Sequence, residues 1–512
     1  METRPAFDGA PPEQGGWDRS SLFLLAGMTI LSGILRLYHL GLWSFWVDEA
    51  HTLRDALLIP MDEFLQTTRG RYPLGFLLIR WLAPILPGVG EGAFRLPFAF
   101  FGILSIPLMA VVVRHLLGRG PALVSALILC LSPWHIYWSQ NCRVYSLVLF
   151  LGLLAIGLFQ VGVERGRPVL LLGSLLTSLL AGLSHPSGLF LLPVFVIYVL
   201  SFRFRLAKPP EAFDRRAFWS FMLPVLLLGL LAILFFWDAI RVFQRAKGGE
   251  SFFHLVNTTV FFVRVPVLVA ALGGAFLLWK RRARSGFFLI LLIAVPVLEA
   301  SFASLFMKAT AQYLFFTLPA WCALSGYGAY EITRSLKVEG LGRLLIRALP
   351  LGMLVLDLAA EDHLYFNYRY GDRPRWREAA DYIDLHAGHE DRIASTNQPS
   401  MEWYLNPNDP QLGVLAIRNP GRRRVEQLAD WTLPNLPRWV EEAKADGKRV
   451  WLVITEPEFY EWDRSKRWDT WVRARFHQVK RLPNWNGPKD MTILVFRFDP
   501  ATPDRENGRE RR

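Results

Sequence analysis

The sequence predicts a multi-pass α-helical membrane protein that carries a small α/β domain at its C-terminal end. Three observations lead there. Apolar runs of about 20 residues, each long enough to cross a bilayer as a helix, recur through residues 1–360. Lys and Arg clusters punctuate those runs at intervals that suit one side of a membrane. Beyond residue 360 the chain turns polar and Trp-rich, and helical and strand-like patterns interleave.

The averages conceal this division. Of 512 residues, 52% are hydrophobic and only 20% charged, against about 25% charged in soluble chains. Mean hydropathy is +0.25. A soluble enzyme, a nucleic-acid-binding module and a disordered chain are all excluded. The net charge of +13 is therefore tested first as a topology signal. The cysteines Cys130, Cys142 and Cys322 all fall in apolar segments, so no disulfide framework is expected.

Residues 1–20 are polar and read as a cytoplasmic tail. The apolar run 21–35 is followed by Arg36, Tyr38, His39, Trp43 and Trp46, an aromatic cluster that suits a helix end at the interface. With no basic leader or small-residue cleavage site, it reads as an uncleaved first span. Basic runs then mark the cytoplasmic side: Arg114-His115 with Arg119, Arg165 with Arg167, 203–216, Lys280-Arg281-Arg282 with Arg284, and 334–347. The spans read as 21–42, 96–114, 121–140, 142–163, 168–184, 187–203, 217–237, 259–279, 285–306, 312–333 and 343–360, about eleven by hydropathy and charge. The stretch 73–87 is apolar but Pro-flanked. Counting it as a span would put the basic loops outside, so it reads as an interfacial or re-entrant helix within a long first external loop, 43–95.

This gives a membrane domain over 21–360, an extracytoplasmic α/β domain over 361–498 and a disordered tail over 499–512. In the α/β domain, helical periods at 374–387, 434–446 and 457–475 alternate with strand-like runs at 392–395, 413–417, 449–455 and 491–498. No internal repeat is evident. The location expected is the cell (inner) membrane.

The sharpest chemical signal is Trp46-Val47-Asp48-Glu49-Ala50-His51-Thr52, just outside the first span. On a helix Asp48 shares a face with Thr52 and Asp55, while Glu49 points about 100° away. One carboxylate can then face a cavity while its neighbour holds structure. A solvated helix start also favours acids in its first turn, so spacing alone leaves both readings open. Other polar groups recur on the same predicted external side: Arg71-Tyr72-Pro73-Leu74, Arg95-Leu96-Pro97, the stretch from Ser132 through His135 to Gln140, Arg143 and Tyr145, the turn Ser184-His185-Pro186-Ser187-Gly188, and Lys308 to Gln312-Tyr313. Arg143 and Lys308 need a partner at membrane depth, and a lipid phosphate would supply one. Snorkelling to headgroups is the plainer account of any single one of them, and His185 alone is more often a turn or packing residue.

Taken together, these motifs resemble the GT-C glycosyltransferases that use polyprenyl-phosphate sugars. The nearest branch holds the protein O-mannosyltransferases and the bacterial transferases that add aminoarabinose to lipid A. The resemblance covers roughly 20–330. Asp48-Glu49-Ala50 matches the Asp-Glu pair after the first span. Tyr72-Pro73-Leu74 matches a Pro-Pro-Leu element, and Glu91 to Arg95-Leu96-Pro97 the segment ending Arg-Leu-Pro. Ser139-Gln140 to Arg143-Val144-Tyr145 matches the Arg-x-Tyr loop, and His185 to Gly188 the turn after the fifth span. Gln312-Tyr313 departs from the family's Arg-Tyr, which makes Lys308 the candidate substitute.

The resemblance implies a GT-C fold and sugar transfer from a polyprenyl-phosphate donor to an acceptor hydroxyl of a glycan, lipid or protein, with inversion. It implies Asp48 as general base, with Glu49 orienting the loop or binding acceptor. Arg143, Lys308 and Arg95, with Tyr145 and Tyr313, would meet the donor phosphate, and His51, Tyr72 and His185 would serve the acceptor or the loops. No cofactor is indicated and no residue cluster has metal-ligand spacing, while the resemblance leaves a divalent ion open, since some GT-C relatives use one; no nucleic-acid partner is expected. A transporter or lipid flippase is the rival reading. It favours repeats and charges near the midplane, whereas Glu299 and Asp357, the most nearly intramembrane acids, fall in the outer halves of their spans.

Overall fold

A computed structural model describes residues 7, 16–86, 88, 90–245, 252–305, 309–335, 342–406, 423–486 and 489–500. The chain forms two compact units. One comprises 1–38, 67–75 and 96–362, and the other 39–66, 76–95 and 363–512. The sequence groups the first external loop with the membrane domain; in the structure most of it clusters with the C-terminal residues.

The first unit is helical. Among the described residues, the helices Arg19–Leu37, Glu91–Leu117, Tyr145–Glu164, Pro186–Arg203 and Arg284–Ala303 are long and apolar enough to cross a membrane. Two more candidates are bent. Arg119–Cys130 and Pro133–Ser139 meet at 59°, and Phe252–Val263 and Val265–Lys280 at 93°. These give five spans, or seven if each bent pair is one, by length and composition, where the sequence predicts about eleven. The predicted span 168–184 is a helix of 17 residues, 217–237 lies within Arg215–Arg245, and 343–360 within Gly342–Asn367. The predicted span 312–333 opens as a 3₁₀ turn, Ala311–Thr317, before Leu318–Ser335.

Local chemistry explains the ends and breaks. Asp18 caps the first helix by accepting from the Ser21 N–H at 2.8 Å. Ser132 and Pro133 restart a helix after Cys130, with Ser132 Oγ accepting from the His135 N–H. Helices Val265–Lys280 and Leu318–Ser335 approach so closely that a Cβ on Gly274 would sit 2.0 Å from the Leu324 carbonyl oxygen. Gly274 and Gly328 thus act as small-residue contacts of the kind that pack membrane helices.

The stretch 73–87 forms a nine-residue helix, Leu74–Leu82, and a 3₁₀ turn, Ala83–Ile85. Nine residues rise about 14 Å, less than half a bilayer core.

The second unit holds a mixed five-stranded sheet. Its strands are β1 (Arg392–Ser395), β2 (Val425–Gln427), β3 (Val450–Thr455), β4 (His477–Leu482) and β7 (Ile493–Phe498), and β5 (Trp485–Asn486) pairs with β6 (Lys489–Asp490) apart from it. The order is β2-β1-β3-β7-β4. β1 runs parallel to β2 and β3, while β7 runs antiparallel to β3 and β4. Leu452 of β3 faces Phe496 of β7 across the ladder. Alternation sorts the side chains. Val450, Leu452 and Ile454 join a core with helices Leu436–Asp446, Glu456–Trp462 and Arg467–Arg475, while Trp451 and Val453 join another with Trp376–His386 and Gln398–Leu405. Covered on both faces, β3 is buried throughout.

Three of the strand-like runs coincide with β1, β3 and β7, while 413–417 lies outside the described residues. The helical period 457–475 is two helices, because Asp463 is bonded to Ser465 and Asp469 at their junction. β4 was not anticipated, since its buried and exposed positions follow no clean alternation across a bulge.

Candidate functional site

The acidic pair opens helix Val47–Leu57 in the second unit. The Glu49 carboxylate reaches back to the Trp46 N–H at 3.4 Å and points into the interior, where it is fully buried. There Arg95 Nε donates to Oε1 at 2.8 Å and Nη2 to Oε2 at 2.7 Å. Arg95 Nη1 also donates to the carbonyls of Leu40 and Trp43, and Nη2 to that of Ser44. A guanidinium has five N–H donors, and these five bonds use them all.

The expectation that Arg95 meets the donor phosphate is therefore corrected, because it has neither a donor left nor exposed surface. Glu49, expected in the acidic pair to orient the loop or bind acceptor, is fully buried with both carboxylate oxygens accepting from Arg95.

Further groups tie the same loop. Arg373, also fully buried, brings its Nε within 3.7 Å of Glu49 Oε2. Tyr404 Oη accepts from the Phe45 N–H and donates to Glu91, both at 2.6 Å, and Arg377 pairs with Glu91. Burial, then the neighbouring Glu91 charge, pushes the Tyr404 hydroxyl well above its usual range, so it stays protonated. Sequence reasoning missed Arg373, Arg377 and Tyr404. One signal was available: Arg373, Arg375 and Arg377 form a basic run on the predicted external side, where the positive-inside rule leaves it unexplained.

Asp48 is left partly exposed on its helix. Its carbonyl accepts from Thr52 Oγ1 at 2.7 Å, and Thr52 and Asp55 on the same face are buried. His51 is also partly exposed.

Tyr72, Arg143, Tyr145, His185 and Tyr313 lie in the first unit, where four of them form one aromatic group around His185. Its ring lies 5.1 Å from Tyr145, 5.5 Å from Tyr313 and 6.2 Å from Tyr72. Arg143 stands over the Tyr145 ring at 5.8 Å, and Trp138 packs on Tyr145 at 4.2 Å. Gly75 makes the approach possible: a Cβ there would sit 1.9 Å from Val144 Cγ1, so the Tyr72 segment lies directly on the Arg143–Tyr145 loop. Ser146 Oγ donates to the Phe98 carbonyl at 2.9 Å and anchors the loop from the other side.

His185 Nδ1 accepts from the Ser187 N–H at 3.2 Å and pairs with Ser187 Oγ at 2.8 Å. That assigns the ring proton to Nε2. Burial, then the Arg143 charge, pushes its pKa down to about 3, so the ring is a neutral donor at physiological pH. Lys308 lies outside the described residues.

Other polar residues of the motif stretch serve structure. Gln140 Nε2 donates to the carbonyls of Leu35, Arg36 and Tyr38 at the end of the first helix. Arg36 donates to Leu129 and Cys130 carbonyls and to His135 Nδ1, which caps the broken helix beside it. Among the described residues, no three His, Cys, Asp or Glu are placed to hold a metal ion.

Residues 71–213 match the family model of dolichyl-phosphate-mannose-protein mannosyltransferase. That stretch contains Tyr72, Arg95, Arg143, Tyr145 and His185. No curated protein sequence matches the chain. Solved structures do match in fold. The Archaeoglobus fulgidus oligosaccharyltransferase tethered with an acceptor peptide superposes with a TM-score of 0.55 at 11% identity, over 93% of this chain and 74% of that one. ArnT from Cupriavidus metallidurans bound to undecaprenyl phosphate gives 0.53 at 13% identity, over 93% and 97%. AglB from Archaeoglobus fulgidus, in complex with an inhibitory peptide and a dolichol-phosphate, gives 0.52 at 12%, over 85% and 69%. The chain is thus a membrane protein of the GT-C fold, the class to which its motifs pointed. Within that class its fold runs nearly the full length of ArnT.

Proposed function

We propose that the chain is a membrane glycosyltransferase that moves a sugar from a polyprenyl-phosphate donor to an acceptor hydroxyl on the extracytoplasmic face. The observation that carries this reading is the family-model match over 71–213, the stretch that brings Tyr72, Arg143, Tyr145 and His185 to the first unit. The likeness in fold to ArnT bound to undecaprenyl phosphate and to AglB with a dolichol-phosphate supports a lipid-linked donor.

An alcohol is a poor nucleophile, so a positioned base must take its proton as it attacks the anomeric carbon. Asp48 is given that role, since Glu49 is committed to Arg95 and Asp48 keeps exposed surface. The anomeric C–O bond to phosphate breaks as the acceptor C–O bond forms, and the phosphate leaves with its charge. Arg143 offsets that charge, and the Tyr145 and Tyr313 hydroxyls and the neutral His185 Nε2–H donate to the phosphate oxygens. Lys308 is retained as a second cation. One displacement inverts the anomeric centre. Tyr72 and His51 serve the acceptor or the loop. The acceptor is a glycan, lipid or protein hydroxyl, and the protein resides in the cell (inner) membrane with the α/β sheet outside.

Bent spans also occur in transporters, but the likeness to transferases of one fold over nearly the whole chain favours transfer. The test is transfer from radiolabelled polyprenyl-phosphate sugars by purified protein in lipid nanodiscs. Label appearing on an acceptor in the wild type but not in Asp48→Asn supports the reading, and equal transfer by both overturns the base assignment. A reporter fused after Ala360 tests the topology, since a cytoplasmic readout would invert it.

A further inference from the structure

We propose that Arg264 is a positioning residue for the donor site, pinning a bent helix against the turn that carries Tyr313. The role at the donor site rests on the transfer reading above; the pin itself does not.

Helices Phe252–Val263 and Val265–Lys280 meet at 93° with Arg264 between them. Arg264 has φ +79°, a region that residues other than glycine seldom adopt and that persists only where the surroundings over-determine it. Those surroundings are two acids one turn apart on Gly342–Asn367. Arg264 Nη2 and Nε bond Asp357 Oδ1 and Oδ2 at 2.9 and 3.1 Å, and Nη1 reaches Glu361 Oε2 at 3.1 Å. Asp357 and Glu361 stand at i and i+4 on one face, which matches the planar fork of the guanidinium. Asp357 is one of the outer-half acids that the proposed chemistry leaves unused.

The right-angled turn lays Phe252–Val263 across the Ala311–Thr317 turn. Leu255 shares a buried cluster with Ala300 and Leu314. Phe262 stacks on Trp134 at 5.4 Å and 17°, and Trp134 meets Phe315 at 5.1 Å. Leu314 and Phe315 directly follow Tyr313, whose ring lies stacked on His185. The pin therefore fixes the turn that aims Tyr313 without touching the donor.

Arg264→Gly tests this, because glycine adopts the same φ without strain and removes the ion pairs with the side chain, and the charge-swapped double variant separates the loss of the pairs from the added backbone freedom. The expected result is a donor KM about tenfold higher with kcat within about threefold of wild type. Amide exchange is expected to rise about tenfold in 252–263 and 311–317, while β3 and β7 stay protected. Transplanting the pair, Arg264→Asp with Asp357→Arg, is expected to restore much of both. Wild-type exchange in Arg264→Gly overturns the pin. Raised exchange with unchanged donor KM overturns the positioning role. The exchange readout needs no substrate, so a wild-type protein that moves no sugar overturns the transfer reading and the donor role, and leaves the pin to stand or fall on exchange.

Discussion

The Glu49 carboxylate and the Arg95 guanidinium meet through two parallel bonds of 2.8 and 2.7 Å, with both side chains fully buried. This fork-to-fork pair fixes geometry as well as charge. It locks the first turn of the helix that carries Asp48, one residue away. Adjacent acids with near-identical local sequence are thus set to different tasks by which way each points.

Breaking that pair leaves an uncompensated buried charge. Arg95→Ala is expected to cost about 3–5 kcal/mol, read as a lowered Tm in detergent. Replacing both partners by apolar groups, Glu49→Leu with Arg95→Met, is expected to recover part of the loss. An unchanged Tm in Arg95→Ala would show that the pair does not hold the loop.

Asp48→Asn separates chemistry from structure. Transfer is expected to fall about 10²–10⁴-fold, the range for loss of a general base. Tm is expected to stay at the wild-type value, because Asp48 is partly exposed. Glu49→Gln should show the converse, with Tm falling first. A variant Asp48→Asn that unfolds as readily as Glu49→Gln would erase the distinction between the two acids.

Gly75 tests whether the Tyr72 segment and the Arg143–Tyr145 loop must touch. Gly75→Ala places a Cβ 1.9 Å from Val144 Cγ1. The overpacking is expected to cost about 1–3 kcal/mol and to raise the donor KM. Adding Val144→Ala makes room, and recovery of Tm and KM is the expected outcome. If the single variant binds donor as the wild type does, the contact does not shape the site.

His185 predicts an acid-sensitive stability. Its folded pKa of about 3 lies below the ordinary 6.5. The unfolded chain therefore binds the extra proton between those values. The contribution is fully present above pH 6.5 and is lost as pH falls toward 3, with a slope no steeper than about 1.4 kcal/mol per pH unit. His185→Gln is expected to flatten the dependence of Tm on pH in that window. Arg143→Gln is expected to narrow the window by removing the nearby charge. Identical profiles in all three proteins would count against a neutral, buried His185.

Much of this protein was legible in its residues. Apolar run length announced helices for a bilayer, and the short apolar runs at 449–455 and 491–498, rich in β-branched and aromatic residues, announced β3 and β7. The recurrent Tyr, Arg and His at span ends pointed to groups that the structure does gather, with Tyr72, Tyr145 and Tyr313 around His185. The bends were only partly legible: Pro133 and Pro266 mark both breaks in the sequence, but the 93° angle and the ion pair from Arg264 to Asp357, 93 positions away, belong to the tertiary structure.

The sequence by itself determined the membrane character, the position of the polar sheet and the residue types available for chemistry, since these follow from local composition and period. The tertiary structure decided which charged groups are committed and which are exposed. Arg95 and Glu49 are 46 positions apart, Glu91 and Tyr404 are 313, and no local pattern encodes such pairings. Desolvation then does the sorting: a charge buried against its partner must stay there, and its neighbour Asp48 is the acid left with surface to offer.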